Sequence, residues 1–359
     1  MRWSASWLVL GMALVSGPVG AQVMWVKSPA TPVMVHAPSF FEALAIGQPA
    51  LLEEDGVLRL WFAAGGLDHR GRILTARSTD GGLTWHRDNG GWPALDVGPA
   101  EAWDSFWLDT PEVVHDDTGY RLYYYGATSS EAEGASIGLA TSADGLHFVR
   151  WGTEPVLRPG PEGSWDGRWV ESPAVIWLPE KGLYLMWYTG VDASWRVRVG
   201  LATSPDGVVW TRHPDNPVLE LGEEGSWDDL WAGVPGVIRW EGGFLMVYSG
   251  VSAADLADGA ADDIGVGLAF SQDGVTWQRL GVNPVLTTTS PPHDPTVDSG
   301  GPWAPDLAWD PRDRRLLMLF ESAAGLGLAR SLPQRARRPR GRAVPGSRWP
   351  VPSSAGRDR

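Results

Sequence analysis

One interval governs this chain. A proline recurs at positions 49, 111, 173, 235 and 305, at spacings of 62, 62, 62 and 70 residues. Each sits at the head of a strand–turn–strand pattern: "GQPALLEEDGVLRLWFAAG", "TPEVVHDDTGYRLYYYGA", "SPAVIWLPEKGLYLMWYTG", "VPGVIRWEGGFLMVYSG" and "APDLAWDPRDRRLLMLFES". A second series interleaves with it. It runs strand, Ser-x-Asp-Gly, aromatic, with aspartates at 80, 144, 206 and 273. Asp-Gly between apolar runs marks a hairpin, because Gly accepts positive φ and Asp bonds the turn backbone. Each unit is thus four short strands in about sixty residues, with no sustained helical period. Four-stranded units at a fixed period predict an all-β chain folded as a five-bladed β-propeller.

The repeat also predicts how the ring shuts. The fifth unit ends at "GLGLARS" (325–331) with no fourth strand, while "MWVKSPATPVM" (24–34) matches "VWTRHPDNPVL" (209–219). The N-terminal strand is expected to complete the last blade and so remove an exposed sheet edge.

Three segments follow. Residues 1–21 carry an arginine, an apolar run and small residues, the pattern of a signal peptide, so the product is expected to be secreted or periplasmic. The propeller takes 22–330. Residues 331–359 hold eight arginines and one aspartate and read as a disordered basic tail. Net charge is −14 overall, and without that tail 21 basic residues face 42 acidic ones. Such an acidic body argues against a nucleic-acid partner. No later stretch is apolar enough to span a membrane, and a monomer is expected. The absence of cysteine excludes disulfides, thiolate metal sites and a cysteine nucleophile. No cofactor or metal is expected; His293 and Asp294 could at most hold a hydrated ion.

Repetition separates scaffold from site. The Asp-Gly turns and the Trp-Asp pairs at 103–104, 165–166 and 227–228 recur, which makes them scaffold. Acids near the repeated proline do not recur. Two positions before it stand Gly47, Asp109, Glu171, Gly233 and Trp303; one position after it stand Ala50, Glu112, Ala174, Gly236 and Asp306. Asp109, Glu112, Glu171 and Asp306 are therefore expected to converge on the axis. There their mutual repulsion would raise at least one pKa and make a general acid. A salt bridge of these acids to Arg168 is the plain alternative. Of the 22 tryptophans, Trp107, Trp195 and Trp303 lie in or beside funnel loops, where indoles suit sugar rings.

The pattern "YLMWYTG…VGLATSPDGVVW…NPVL…GSWD…VPGVI" over residues 23–331 resembles the five-bladed glycosidase superfamily of arabinanases, levansucrases and invertases (glycoside hydrolase families 43 and 32). It is especially similar to uncharacterised bacterial glycosidase-like propellers. The resemblance implies that Glu171 in "ESP" is the general acid and that Glu112 in "TPEV" stands where an acid-tuning aspartate is found. "WAPDL" places Asp306 in a tuning-type motif on the fifth blade. Where the superfamily has its base or nucleophile, this chain has Gln48, which can bind substrate but neither takes a proton nor attacks.

Three readings stay open. One is a glycosidase of oligo- or polysaccharides with Asp109, or Glu42, as the substitute carboxylate. Another is a non-catalytic carbohydrate-binding or scaffolding propeller. The third is a phosphorylase-like enzyme, with His69, Arg70 or Arg196 holding phosphate, or a sialidase-like one suggested by the Asp-box form of "STDGGLTW".

Overall fold

The computed structural model describes residues 25–129, 134–257, 264–291, 293–294 and 301–332. The leader, nearly all of the basic tail and residues 258–263 of the acidic loop lie outside the described residues. The first unit comprises β2 (Ala45–Glu54), β3 (Val57–Gly65), β4 (Gly71–Ser78) and β5 (His86–Arg87). The second comprises β6 (Trp107–Asp116), β7 (Gly119–Ala127), β8 (Ser136–Ser142) and β9 (Val149–Arg150). The third comprises β10 (Trp169–Leu178), β11 (Leu183–Val191), β12 (Val197–Ser204) and β13 (Thr211–Arg212). The fourth comprises β14 (Trp231–Trp240), β15 (Gly243–Val251), β16 (Gly265–Ser271), β17 (Gln278–Arg279) and the short β18 (Leu286–Thr287). The fifth comprises β19 (Trp303–Asp310), β20 (Arg315–Ser322) and β21 (Gly325–Ser331), and β1 (Trp25–Lys27) pairs antiparallel with β21. Among the described residues the only α-helix is the five-residue Ala253–Ala257, so the fold is all-β and propeller-like.

The first strands of the units lie side by side: β2 against β6, β6 against β10, β10 against β14, β14 against β19, and β19 against β2. Large apolar side chains fill the spaces between units. Trp61, Leu108 and Leu122 pack between the first and second, and Trp187, Val237 and Met246 between the third and fourth. Leu60, Phe62, Leu319 and Leu328 pack between the fifth and first. Full burial of each such side chain stabilises by about 1.5–3 kcal/mol.

The Ser-x-Asp-Gly turns latch neighbouring units. Inside each turn the serine hydroxyl donates to the aspartate, whose Oδ1 accepts the following amides, as in Ser204–Asp206–Val208. These bonds hold Asp80, Asp144, Asp206 and Asp273 below the usual carboxylate range. The turn glycine's carbonyl then accepts from an aromatic on the preceding unit. Trp61 donates to Gly145 at 2.9 Å, Tyr123 to Gly207 at 2.8 Å and Trp187 to Gly274 at 2.8 Å. From the fifth unit, Arg330 donates to Gly81 at 2.8 Å.

The Trp-Asp loops carry a second fixed device. Asp104, Asp166 and Asp228 are buried. Each accepts from a tyrosine hydroxyl and an arginine Nε, for instance Tyr248 at 2.9 Å and Arg279 at 2.8 Å on Asp228. In the first unit Glu42 takes this place, fully buried and 2.6 Å from Arg87 Nε. That ion pair removes Glu42 from the candidates for a substitute base, because it belongs to the scaffold.

Candidate active site

Each first strand carries a bulge at its proline, where the register slips between Gly47/Ala50, Asp109/Glu112, Glu171/Ala174, Gly233/Gly236 and Trp303/Asp306. The residue before each proline has positive φ: Gln48 51°, Thr110 40°, Ser172 48°, Val234 52° and Ala304 47°. Such a backbone costs of order 1–3 kcal/mol per residue and persists only where its surroundings hold it. Here they do. The N–H of Ser172 donates to Thr110 Oγ1 at 3.1 Å, that of Val234 to Thr189 Oγ1 at 2.8 Å, and that of Ala304 to Ser249 Oγ at 3.1 Å. The bulge separates two tiers of side chains around the axis.

The upper tier opens into a pocket of about 280 Å³ lined by Gln48, Trp107, Asp109, Thr110, Tyr125, Ser129, Glu171, Ser172, Val234 and Trp303. Asp109 is held by two donors, Trp107 Nε1 at 2.9 Å on Oδ2 and its neighbour's Thr110 N–H at 2.8 Å on Oδ1. Burial lifts its pKa and these two bonds oppose the rise. Glu171 is placed differently. Its carboxyl accepts no hydrogen bond among the described residues; the nearby Trp169 N–H works to lower its pKa but closes no bond. Both acids keep an edge open to the pocket while lying deep in it, and desolvation dominates. Burial, reinforced by the charge of Asp109, pushes Glu171 up to about 7. The Tyr125 hydroxyl lies near both acids, and burial plus their charges raise its pKa.

The lower tier forms a small cavity of about 30 Å³ bounded by Gln48, the five prolines, Glu112 and Asp306. Asp306 accepts from Leu51 N–H of the first unit at 2.6 Å, and Glu112 from Val175 N–H of the third at 3.1 Å. Burial and the charge of Asp306 push Glu112 well above its ordinary value, and burial pushes Asp306 up to about 7. These two acids face each other beneath the bulges and bridge neighbouring units. Glu112 is thus placed against Asp306, and Asp109 is the acid whose charge acts on Glu171.

Of the tryptophans singled out by sequence, Trp107 and Trp303 line the upper pocket. Trp195 does not; it stands 48% exposed at the rim, with Arg168 stacked 4.1 Å over its ring. Arg168 therefore makes a cation–π contact and, among the described residues, no ion pair with the acids. His69, Arg70 and Arg196 lie exposed in loops and line no cavity described here. Thr110, Tyr125, Ser129, Ser172 and Val234 of that pocket escaped the sequence reading, as did Glu321 on strand β20, which lines a separate cavity. The signal for Glu321 was present. Where its counterparts in register are Ala63, Tyr125, Thr189 and Ser249, "LFES" breaks the pattern with an acid.

No protein-family model matches the chain. It is similar to an uncharacterised protein of Mycobacterium tuberculosis (strain CDC 1551 / Oshkosh), 29% identical over 164 residues, which cover 44% of this chain and 52% of that one. It is also similar to an A type blood N-acetyl-α-D-galactosamine deacetylase of Flavonifractor plautii, 24% identical over 157 residues, covering 42% of this chain and 20% of that one. The chain spans about half the length of the first curated relatives it matches, 52% and 56%. Among solved structures, a glycosyl hydrolase from Bacteroides ovatus is 15% identical and covers 89% of this chain and 96% of its own, with a TM-score of 0.64. The β-1,2-mannobiose phosphorylase from Listeria innocua is 16% identical, covering 85% and 96%, with a TM-score of 0.62. A thermostable family-43 glycoside hydrolase is 18% identical, covering 82% and 91%, with a TM-score of 0.60. At these identities the shared property is the fold: the chain has the propeller-type architecture of glycoside hydrolase families 43 and 130.

Proposed function

We propose that the protein is an exported enzyme that cleaves glycosidic bonds of an oligo- or polysaccharide at the upper pocket. The observation that carries this reading is the contrast between two carboxyls in one pocket. Glu171, approached by the Trp169 N–H without a closed bond, is pushed up to about 7 by burial and the charge of Asp109, whereas Asp109 is held by two donors. Environments that separate two acids in this way assign them different roles. Glu171 keeps its proton near neutrality and gives it to the leaving oxygen. Asp109, held by its two donors, faces the positive charge that builds on the sugar ring as the bond breaks. Trp107 and Trp303 offer flat apolar walls to the sugar, and Gln48 offers amide contacts to its hydroxyls.

In this proposal the five units are blades of one ring, β1 completes the last of them, and residues 1–21 direct the chain out of the cytoplasm. N-terminal sequencing of the exported product tests the last point; a product that retains residues 1–21 rejects the leader.

The activity is tested by incubating the parent and Glu171→Gln chains with aryl glycosides and natural oligosaccharides. Release of sugar by the parent and its loss in Glu171→Gln supports the reading. A second reading, a non-catalytic carbohydrate-binding propeller, is favoured by Gln48 alone, since an amide stands where a carboxylate is expected. It predicts binding on a glycan array that survives Glu171→Gln, with no product formed. A phosphorylase-like reaction draws support from the fold of the Listeria innocua protein, and release that requires inorganic phosphate would select it.

A further inference from the structure

Position 48 supplies no carboxylate, yet the space beside it is not without one. The Glu321 side chain leaves β20 in the fifth unit and crosses to the first. Its Oε2 accepts the Gln48 N–H at 3.2 Å. A Cβ on Gly47 would come within 2.1 Å of that oxygen, so glycine at 47 is what lets the carboxylate in. The equivalent positions of the third and fourth units show what the scaffold requires. There Thr189 and Ser249 use a hydroxyl to accept the next bulge N–H. A hydroxyl would serve in the fifth unit too. Glu321 fulfils that task with one oxygen and leaves Oε1 with no hydrogen bond among the described residues.

Its surroundings suit a proton acceptor. Glu321 lines a second cavity of about 320 Å³ with Trp231, Ile264, Gly301, Trp303, Ser322 and Ala323, and Trp303 is the wall shared with the upper pocket. A space of that size admits several waters. Burial and the charge of Asp109 push Glu321 up to about 7, with the Gln48 N–H opposing. Gln48, whose N–H holds Glu321 Oε2, lines the upper pocket together with Glu171, Asp109 and Trp303, so the Glu321 carboxylate rests behind the wall of the pocket that Glu171 lines.

Resting on the glycosidase reading above, we infer that Glu321 is the general base of the reaction, supplying from the fifth unit the carboxylate that position 48 lacks. A water oxygen bonds to the anomeric carbon as Glu321 Oε1 takes one of its protons. The bond from that carbon to the glycosidic oxygen breaks, and the leaving oxygen takes the proton of Glu171. One water is consumed, no electrons are exchanged, and both carboxyls return to their starting forms by proton exchange with solvent.

The discriminating variant is Glu321→Thr, which reproduces the hydroxyl seen at Thr189 and so keeps the acceptor for the Gln48 N–H. It is expected to melt like the parent and to lose about 10²–10⁴-fold in kcat, the usual contribution of a positioned base. Added formate, a small external carboxylate, is expected to restore part of the rate in Glu321→Thr and none in Glu171→Gln. Independently of turnover, the Gln48 amide proton in the parent should titrate with a midpoint near 7 by NMR, and that titration should vanish in Glu321→Thr. An active parent whose Glu321→Thr variant keeps its rate overturns the base while leaving the glycosidase reading intact. A parent that turns over no glycoside overturns both. A flat Gln48 titration overturns the placement of the carboxylate.

Discussion

Glu171 and Asp109 share one pocket and Glu321 lines the cavity beside it, and their neighbours rather than their chemistry give the three carboxylic acids separate tasks. Glu171→Gln removes only the transferable proton. Turnover of substrates with poor leaving groups should fall about 10²–10⁴-fold, while 2,4-dinitrophenyl glycosides, whose leaving group needs no proton, should lose far less. Equal losses on both classes would argue against an acid at 171. Beneath them, Asp306 is pushed up to about 7 in the folded protein. A raised folded value contributes stability that is fully present below the ordinary carboxylate range and is lost as pH rises through about 7. Asp306→Asn, which keeps an oxygen for the Leu51 N–H, should therefore melt a few degrees higher than the parent at pH 8 and show a weaker decline between pH 4 and 7. A melting temperature unchanged at pH 8 would contradict the buried charge. The strand positions around the repeated proline made Asp109 and Glu171 legible in sequence, because both break a pattern otherwise kept. Glu321 also breaks its strand's pattern, but on β20, away from the repeated proline, and its carboxylate bonds Gln48 of the first unit only by crossing from the fifth. Glu42 misled for the opposite reason: a lone acid near the funnel by sequence is the first unit's version of Asp104, Asp166 and Asp228, which only its pairing with Arg87 reveals.

At the scale of elements, the loops that recur are the joints. Asp228 is buried, receives Tyr248 and Arg279, and has counterparts in the second and third units. Asp228→Ala leaves both donors without their acceptor and should cost about 1.5–3 kcal/mol, read from chemical denaturation at fixed pH. A loss below about 0.5 kcal/mol would show that the loop is held by Trp227 packing on Gly250 rather than by the carboxylate. These joints were readable as scaffold from repetition alone. What repetition could not reveal was the positive φ before each proline. A residue in that position ordinarily prefers extended backbone; side-chain acceptors from neighbouring units hold four of the five, and Thr110 bonds Asp109 on its own strand. Two of those acceptors, Thr189 and Ser249, lie on second strands where no sequence pattern linked them to a bulge residue 45 or 55 positions on.

At the scale of the molecule, the proposed ring brings together carboxylates that lie far apart in the chain. Its seam is the short pairing of Trp25–Lys27 with Ala329–Ser331. Removing residues 23–35 would bare the edge of β21 and take Met34 from the core shared by the first and fifth units. A lower melting temperature or concentration-dependent oligomers should result; an unchanged melting curve at all concentrations would count against a seam there. The whole account turns on whether the gathered acids act on a glycosidic bond. The most direct measurement is sugar release from a panel of oligosaccharides and aryl glycosides, followed across pH 5 to 9 with the parent and the Glu171→Gln chain. The account predicts release by the parent with an optimum near pH 7, falling on the alkaline side as Glu171 loses its proton and on the acid side as Glu321 gains one, together with a loss of about 10²–10⁴-fold in Glu171→Gln. No release from any member of the panel, or release by Glu171→Gln at the parent's rate, would contradict it.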